Sequence, residues 1–310
     1  MRVAVSLLTI TIVLAQDSPK PNLNSFDLEA INKDVRPCDD FYEHAIGRWH
    51  AQHPIPASQV RWGKRWAAAE YNRDVLRDLV ETVAAKSSTG NTNERLIGTY
   101  FNACMNTKTI DALGNKPIQP ALERIRLAFT REALKSEIAK FAAEDIPLFA
   151  LMSATPDSDQ PDRMILGIYA SPLGLPDRDY YLKDDAKAKA DRERYSKHLA
   201  KMFELAGLDP AKSSTVLQLE TELAKSQLSR VERRNPYNVK NYMSPQQLAD
   251  LAPAFPWAEL FRSTGTAPGS VLNVMDKKYL ERANQMLATA PLDDLKTMLA
   301  WQVIRFRGNA

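Results

Sequence analysis

Apolar residues recur along most of this chain at three- and four-residue intervals, the spacing that places them on one face of an α-helix. Long polar or proline-containing breaks separate these runs. The clearest apolar stripes are Leu76, Leu79, Val80 and Val83; Leu96, Ile97, Tyr100, Phe101 and Cys104; Ile118, Leu122, Ile125 and Phe129; Leu134, Ile138 and Phe141; Tyr195, Leu199, Met202 and Phe203; and Leu295, Met298, Leu299 and Ile304. The pattern predicts a mainly α fold, a multi-helix lobe in which Cys104 faces the core.

The pattern changes between residues 147 and 170. Two short apolar runs, 148–154 and 164–170, flank the polar segment 155–162. Short apolar runs joined by a polar segment are typical of paired strands, so a small β-hairpin insertion is predicted here. Residues 271–274 indicate a further brief strand, and residues 173–182 are predicted to form a loop.

Several helix ends can be located from their residue types. Asp39 and Asp40 suit the first turn of a helix with an aromatic face, which Pro54 then ends. Ser244, followed three residues later by Gln247, predicts a capping box. Gly207 is expected to end the helix before it.

The amino terminus differs from the rest of the chain. Arg2 precedes an apolar run of about a dozen residues and a small-residue site before Gln16, the pattern of a secretory signal peptide over residues 1–15. Residues 16–33 are predicted to be a disordered lead-in, and 34–310 to form one helical region. We therefore expect a periplasmic or secreted protein with no membrane association once the signal is cleaved.

The overall charge is close to balanced, with 41 basic and 38 acidic residues, and does not indicate a nucleic-acid partner. A hydrophobic content of 44% is that of a globular protein. The two cysteines, Cys38 and Cys104, could form a disulfide with each other, and the sequence leaves this open.

The four histidines can be searched exhaustively for a metal site. His50 and His53 have a suitable spacing but no third ligand nearby. His44 follows Asp40 by four residues, which predicts a surface charge pair. His198 is expected to be a partly buried structural histidine. No metal ligand is assigned in this chain.

No catalytic residue is assigned either. The chain contains no His-Glu-x-x-His, no Gly-x-Ser-x-Gly, no P-loop and no dinucleotide fingerprint. Cys38 is six residues from His44, and a helical turn would place the two on different faces, which disfavours a thiol mechanism.

Ordered motifs across the mature chain resemble the neprilysin and endothelin-converting-enzyme family of zinc metallopeptidases. They are Pro37-Cys-Asp-Asp-Phe-Tyr42, Gly47-Arg-Trp49, Pro54-Ile-Pro56, Arg61-Trp-Gly63, Tyr100-Phe-Asn-Ala-Cys-Met105, Gly174-Leu-Pro-Asp-Arg-Asp-Tyr-Tyr181, Arg230-Val-Glu-Arg-Arg-Asn-Pro236, Leu251-Ala-Pro-Ala-Phe-Pro-Trp257 and Pro291-Leu-Asp-Asp-Leu-Lys296. The resemblance implies a largely helical, two-lobed peptidase that cleaves oligopeptides in an enclosed chamber. It identifies this chain with the amino-terminal part, which covers the chamber.

The family's zinc is held by a His-Glu-x-x-His motif and a downstream glutamate in the second half of the fold. Zinc is therefore expected in a full-length member, with no cofactor in this chain, and we expect the chain to be inactive alone. The last residues, 306–310, depart from the family pattern, which truncation of a longer gene would explain. The closing helix, which carries Leu295 and Ile304, is then expected to expose a face intended for absent partners.

The resemblance assigns one substrate-binding residue, Arg61, to the carboxylate at the C-terminus of a bound peptide. A guanidinium suits a carboxylate because it donates two parallel hydrogen bonds. The bland interpretation is that Arg61 packs on Trp62 and forms a surface salt bridge. A second arginine frequent in the family is replaced by Ala69, and Arg65 could substitute for it.

Two other functions stay open. The chain could be a non-enzymatic peptide-binding protein, or one half of a split peptidase whose catalytic half is separately encoded. In disulfide-bonded relatives, the cysteines that match Cys38 and Cys104 pair with partners in the second half, so both would lack those partners here.

Overall fold

The computed structural model of the protein describes residues 27–57, 59, 61–267 and 269–308. The signal peptide predicted for residues 1–15 lies outside these residues. The described residues divide into two compact units, with the boundary between residues 107 and 108. The sequence predicted a single region from residue 34 onward, because no change of composition marks this boundary and α4 (Thr107–Leu113) begins at it. Within the described ranges, no helix has the length and apolar character to cross a bilayer.

The described part of the first unit consists of a 3₁₀ helix (Leu28–Ala30) followed by α1 (Phe41–Gln52), α2 (Lys64–Ala84) and α3 (Thr92–Met105). The Asp40 side chain accepts a bond from Glu43 N at 2.9 Å, and α1 ends just before Pro54, as predicted. Asn91 forms a capping box with Glu94 at the start of α3. Local capping chemistry therefore sets these boundaries.

The 3₁₀ helix lies within the lead-in that the sequence predicted to be disordered over residues 16–33. The carboxylate of Asp27 caps it and pairs with Lys64 Nζ at 2.6 Å. The Asn32 amide donates to the His44 carbonyl oxygen at 2.7 Å. These long-range bonds give residues 27–33 a defined backbone, so the prediction is wrong for this part of the lead-in.

Helices α2 and α3 pack on each other through small residues. A Cβ at Gly98 would lie 2.9 Å from the Val83 carbonyl oxygen and 3.1 Å from the Cα of Ala84, so only glycine allows this approach. The predicted apolar stripes are present but exposed, with Leu79, Leu96 and Tyr100 all more than half accessible. Cys104 is also exposed, so its predicted core position is wrong. The helical period correctly predicts which residues share an apolar face of α2 or α3, but in the structure that face is largely exposed to solvent.

The second unit contains most of the helices: α5 (Gln119–Arg126), α6 (Arg131–Ala143), α7 (Arg178–Leu182), α8 (Ala186–Ala206), α9 (Ser213–Ser226), α10 (Arg230–Arg234), α11 (Pro236–Val239), α12 (Pro245–Leu251), α13 (Trp257–Thr264), α14 (Lys277–Thr289) and α15 (Leu292–Arg307). Gly207 ends α8 with a φ of 77°, and Ser244 forms the capping box of α12. Both features were predicted. The predicted loop 173–182 instead contains α7, because the Asp177 side chain caps its first turn.

A four-stranded sheet lies in the second unit. Strands β1 (Ala150–Pro156) and β2 (Met164–Ala170) form the predicted antiparallel hairpin. Strand β4 (Leu272–Val274) pairs parallel to β2, and β3 (Tyr242–Met243) pairs antiparallel to β4, giving the order β1-β2-β4-β3. The mainly α fold with a small hairpin is therefore confirmed, and two distant short strands extend the hairpin.

The core of the second unit surrounds α9 and α15. Val216, Leu223 and Ala224 of α9 are fully buried. On α15 the buried set covers most of the helix, namely Leu295, Met298, Leu299, Ala300, Trp301, Val303 and Ile304. The expectation that this closing helix exposes an apolar face is wrong, because helices from the same unit enclose it.

Candidate functional site

Arg61, the one substrate-binding residue predicted from sequence, lies in the connection between α1 and α2. Pro54 and Pro56 keep this connection from continuing α1, since proline lacks an amide hydrogen and restricts the residue before it. The Gln59 amide then donates to the Pro56 carbonyl oxygen at 2.8 Å, which folds the connection back in a turn. Gly63 follows as the N-cap residue of α2.

The guanidinium of Arg61 lies over the ring of Trp66, with 4.8 Å between its Cζ and the ring centroid. The expected stacking partner was Trp62. Trp66 lies in the first turn of α2, so the helix fixes the position of the residue that carries the ring. A guanidinium stacked on an aromatic face is positioned while its N–H groups remain available at the edge.

Arg61 is exposed, and no carboxylate of the described residues lies within 4.0 Å of it. The surface salt bridge of the bland interpretation is therefore missing from the described part of the chain. Arg65 and Ala69 both lie exposed on α2. Arg61 has the geometry of a positioned cation that could receive a carboxylate.

The histidines of α1 are engaged in local contacts. His53 Nδ1 donates to the Trp49 carbonyl oxygen at 2.8 Å, and its ring stacks on Trp49 with 4.4 Å between centroids. His50 Nε2 lies 2.8 Å from the hydroxyl of Tyr42. These contacts occupy the pair that had the spacing of metal ligands.

The other two histidines differ from their predicted roles. His44 Nδ1 lies 2.7 Å from the Val35 carbonyl oxygen and does not pair with Asp40. Asp40 instead caps α1. His198 is exposed rather than partly buried, and its ring edge packs on Trp301.

No metal site can be built from the residues that the structure describes. Nowhere in those ranges do three or more histidine, cysteine, aspartate or glutamate side chains group as metal ligands. Cys38 and Cys104 are both free and exposed, so the disulfide that the sequence left open is not formed.

A buried carboxylate that sequence reasoning missed lies in the second unit. Glu220 of α9 is fully buried and accepts hydrogen bonds from the hydroxyls of Tyr181 and Tyr195, at 2.9 and 2.8 Å, and from Gly174 N at 3.0 Å. The Tyr181 hydroxyl in turn accepts from Leu175 N at 2.8 Å. The signal was available, because Glu220 falls between Val216 and Leu223 on the buried face of α9.

Burial raises the pKa of Glu220, although the bonds from both tyrosines and Gly174 oppose the change. Burial and the nearby Glu220 also raise the pKa of Tyr181 and of Tyr195. Both oxygens of the carboxylate accept hydrogen bonds, and the side chain has no exposed surface. Glu220 therefore holds the 173–182 segment in place and has no access to a substrate.

Asp177 anchors the same segment from its other side. Its carboxylate accepts from Asp179 N at 3.0 Å and from Arg230 Nε at 2.6 Å, and Arg233 lies 3.6 Å away. Burial opposes ionisation, but these bonds and charges hold the pKa of Asp177 below its usual value. The sequence motif at residues 174–181 and the one at residues 230–236 thus meet at the Asp177 carboxylate.

A cleft of about 240 Å³ adjoins Asp177 and is lined by α7 and α8. Its carboxylates already have partners: Asp179 pairs with Lys183 at 2.9 Å, Asp191 with Lys187 at 2.8 Å, and Asp185 caps α8. Because its charges are mutually compensated, the cleft does not indicate a ligand.

Comparison with known proteins places this geometry in context. The sequence model of peptidase family M13 matches residues 37–310. The chain is 28% identical to endothelin-converting enzyme 1 of Cavia porcellus over 301 residues, covering 92% of this chain and 39% of that protein. It is 25% identical to endothelin-converting enzyme-like 1 of Rattus norvegicus, covering 88% of this chain and 37% of that protein.

Solved structures show the same fold. The zinc metalloprotease Zmp1 of Mycobacterium tuberculosis, in complex with an inhibitor, superposes with a TM-score of 0.79 at 26% identity, covering 91% of this chain and 44% of that one. PepO of Lactobacillus rhamnosis superposes with a TM-score of 0.70 at 21% identity, covering 87% of this chain and 43% of that one. The chain spans less than half the length of the relatives it matches.

Proposed function

The chain belongs to peptidase family M13, and from that premise we propose that it forms the amino-terminal, peptide-binding part of a zinc metallopeptidase that acts on oligopeptides. The observation that carries the proposal is the exposed guanidinium of Arg61, stacked on Trp66 with no carboxylate partner among the described residues. A cation held in this way suits the terminal carboxylate of a peptide.

The contribution of this part is binding rather than bond cleavage. Full-length family members are zinc enzymes, and the described residues offer no group of three ligands that would fit the metal. We therefore assign no zinc-dependent step to them and propose that the chain alone does not hydrolyse peptides. The apolar run at residues 3–14 supports delivery to the periplasm or the exterior, where peptide substrates are met.

A peptide-binding experiment tests the role of Arg61. A fluorescent oligopeptide with a free C-terminus should bind the purified chain, and the same peptide with an amidated C-terminus should bind about tenfold more weakly, since a hydrogen-bonded charge pair contributes about 1.5–3 kcal/mol. Arg61→Ala should weaken binding of the free-acid peptide to the level of the amide. Fluorescence anisotropy gives both affinities.

The matched control is Arg77→Ala, which removes another exposed arginine, one that pairs with Asp74 on α2. Arg61→Lys keeps the charge but not the forked pair of donors, so it should recover only part of the affinity. Equal affinity for the two peptides, or an equal loss in the Arg77 variant, would show that Arg61 is not the carboxylate receptor.

The two alternatives differ in what a second polypeptide does. If the chain is one half of a split peptidase, adding a separately encoded polypeptide that contains His-Glu-x-x-His should produce cleavage that a chelator stops. If the chain is a non-enzymatic peptide-binding protein, the same addition should leave the bound peptide intact. Mass spectrometry of the peptide distinguishes the two.

A further inference from the structure

The connection that carries Arg61 is attached to α2 on both sides of this residue. Before it, Gln59 Nε2 donates a hydrogen bond to Glu70 Oε1 at 3.1 Å, about one helical turn beyond Trp66. After it, the Gly63 carbonyl oxygen accepts the first bond of the helix from Trp66 N at 2.9 Å. The backbone that presents Arg61 is therefore held against the start of α2.

The ring of Trp66 contacts both the start of this helix and the cation. Trp66 is half-buried, and a Cβ at Gly63 would lie 3.4 Å from its Cε3, so the backbone of the N-cap residue borders the ring. The guanidinium of Arg61 lies over the same ring, with 4.8 Å between Cζ and the centroid. One aromatic side chain thus joins the cation to a fixed point of the fold.

Stacking changes what Arg61 can do as a receptor. A free arginine side chain has many rotamers and loses much of this freedom when it binds a ligand. A guanidinium that is already restricted loses less entropy on binding, and tryptophan is the aromatic residue that attracts a cation most strongly. The ring covers a face of the guanidinium and leaves the N–H groups, which lie in its plane, available for a carboxylate.

Arg65, which could act as a second receptor, has no such support. It is exposed, and no hydrogen bond, ion pair or ring contact joins it to another residue in the described ranges. Its neighbour Lys64 is engaged, since it pairs with Asp27 at 2.6 Å. Of the three cations at this turn, Arg61 is the one that is both stacked on a ring and free of an ion pair within the described residues.

The carboxylates of this region are used elsewhere. Asp27 pairs with Lys64, and Glu70 accepts bonds from Gln59 at 3.1 Å and from Arg73 at 2.7 Å. Neither carboxylate forms an ion pair with Arg61. The charge of Arg61 is therefore not neutralised by an acidic side chain of the described chain.

We infer that Trp66 is the positioning residue of Arg61 and sets how strongly this chain prefers a peptide with a free C-terminal carboxylate, whereas Arg65 does not contribute to that preference. Trp66 acts through Arg61 and does not contact the carboxylate. The inference rests on the proposed function, because it takes Arg61 as the carboxylate receptor.

The quantity that tests this inference is the ratio of affinities for the free-acid and amidated forms of one peptide, measured by fluorescence anisotropy. The unchanged chain should prefer the free acid about tenfold. Trp66→Ala should lower the ratio to about threefold, since an exposed cation–π contact contributes a factor of about two to five. Trp66→Phe keeps an aromatic face and should restore part of the preference. A variant that only folds poorly would weaken both peptides equally and leave the ratio unchanged.

Two neighbouring residues provide matched controls. Trp62→Ala removes another indole next to Arg61 in the chain, and Arg65→Ala removes another guanidinium from the same turn. Neither should change the ratio. An equal fall in Trp62→Ala would assign the positioning to Trp62, and a fall in Arg65→Ala would make Arg65 a second receptor, so either result would overturn the inference.

A double variant tests whether Trp66 acts through Arg61. Adding Trp66→Ala to Arg61→Ala should leave the ratio at the value of Arg61→Ala alone, because the residue that Trp66 positions is already missing. A further fall would show that Trp66 recognises the carboxylate independently, which contradicts a positioning role.

Failure of the inference can be told apart from failure of the proposed function. Equal affinities of the unchanged chain for the two peptides would overturn both. A preference that is lost in Arg61→Ala but is undiminished in Trp66→Ala would overturn the inference alone and leave Arg61 as the receptor.

Discussion

Glu220 shows how much one side chain can organise in this protein. It is an ionisable residue at a core position of α9, and it is stabilised there because three donors from two other segments converge on it. Gly174 is required for this arrangement, since a Cβ at that position would lie 1.7 Å from the Tyr195 hydroxyl. A buried polar group without partners is strongly unfavourable, so this network specifies how the 173–182 segment packs.

The titration of Glu220 gives a prediction with a definite sign. Burial raises its folded-state pKa above the ordinary value of 4.5, so the folded protein holds the proton more tightly than the unfolded chain does. The contribution of Glu220 to stability is therefore largest at or below pH 4.5 and declines as the pH rises through the raised pKa. Urea unfolding of the unchanged protein and of Glu220→Gln should show this decline only in the former.

Glu222, two residues along α9, is the matched control. Hydrogen bonding to Lys225 holds the pKa of Glu222 below its usual value, so its stabilising effect is present above the ordinary carboxyl pKa and is lost as the pH falls. Glu222→Gln should therefore alter the pH profile in the opposite direction. Identical profiles for the two variants would contradict the assignment.

At the scale of elements, the connections between helices carry as much specific structure as the helices. Helix α7 begins where Asp177 caps it, and α10 is attached to the second unit through the same carboxylate. The side chain of Arg178 adds a bond to the Gln227 carbonyl oxygen, just before α10. Two short helices that could not be stable alone are thus held by one shared anion.

Removal of the charge on Asp177 tests that arrangement. Asp177→Asn retains an acceptor for the cap of α7 but loses the attraction for Arg230 and Arg233, so the amides of α10 should exchange with deuterium about tenfold faster. The amides of α9 should be unaffected. Asp159→Asn, which removes the surface pair with Lys240 just after α11, should have little effect. Unchanged protection of α10 in the Asp177 variant would exclude the anchoring role.

At the scale of the whole molecule, the two units differ in how much apolar surface they bury. In the described part of residues 27–107 the buried apolar side chains are Ala30, Trp49 and Ala84. The second unit buries a continuous core that includes every apolar residue of α15 from Leu295 to Ile304. Stability should follow this difference, because apolar burial is the main favourable contribution to folding.

We therefore expect the first unit to open before the second as denaturant is added. Hydrogen exchange should show weaker protection in α2 and α3 than in α9 and α15, and limited proteolysis should first cleave within residues 27–107. Fragments identified by mass spectrometry locate the first cuts. Protection of α2 and α3 equal to that of α15 would show that the exposed stripe is covered in solution.

Much of the local structure could be predicted from the sequence. The longer helices, the β1–β2 hairpin, the end of α8 at Gly207 and the caps at Asp40 and Ser244 all depend on interactions within a few residues, which the sequence displays directly. The short helix α7 was missed, because its cap residue Asp177 lies in a proline-containing segment that resembles a loop. Strand β3 was missed because two residues are too few to show alternation, and its pairing with β4 joins residues about thirty positions apart. The sequence could single out Arg61 as a candidate binding residue, but not its stacking on Trp66.

The sequence by itself determined where the longer helices form, which of their faces are apolar, and the family to which the chain belongs, because periodicity, capping residues and ordered motifs are properties of neighbouring residues. Only the tertiary structure decided which apolar faces are covered. The stripe of α15 is buried and that of α2 and α3 is exposed, although both have the same period. Burial of an apolar face depends on which other segments pack against it. The same long-range packing places the hydrogen-bond donors around Glu220 and the two arginines beside Asp177.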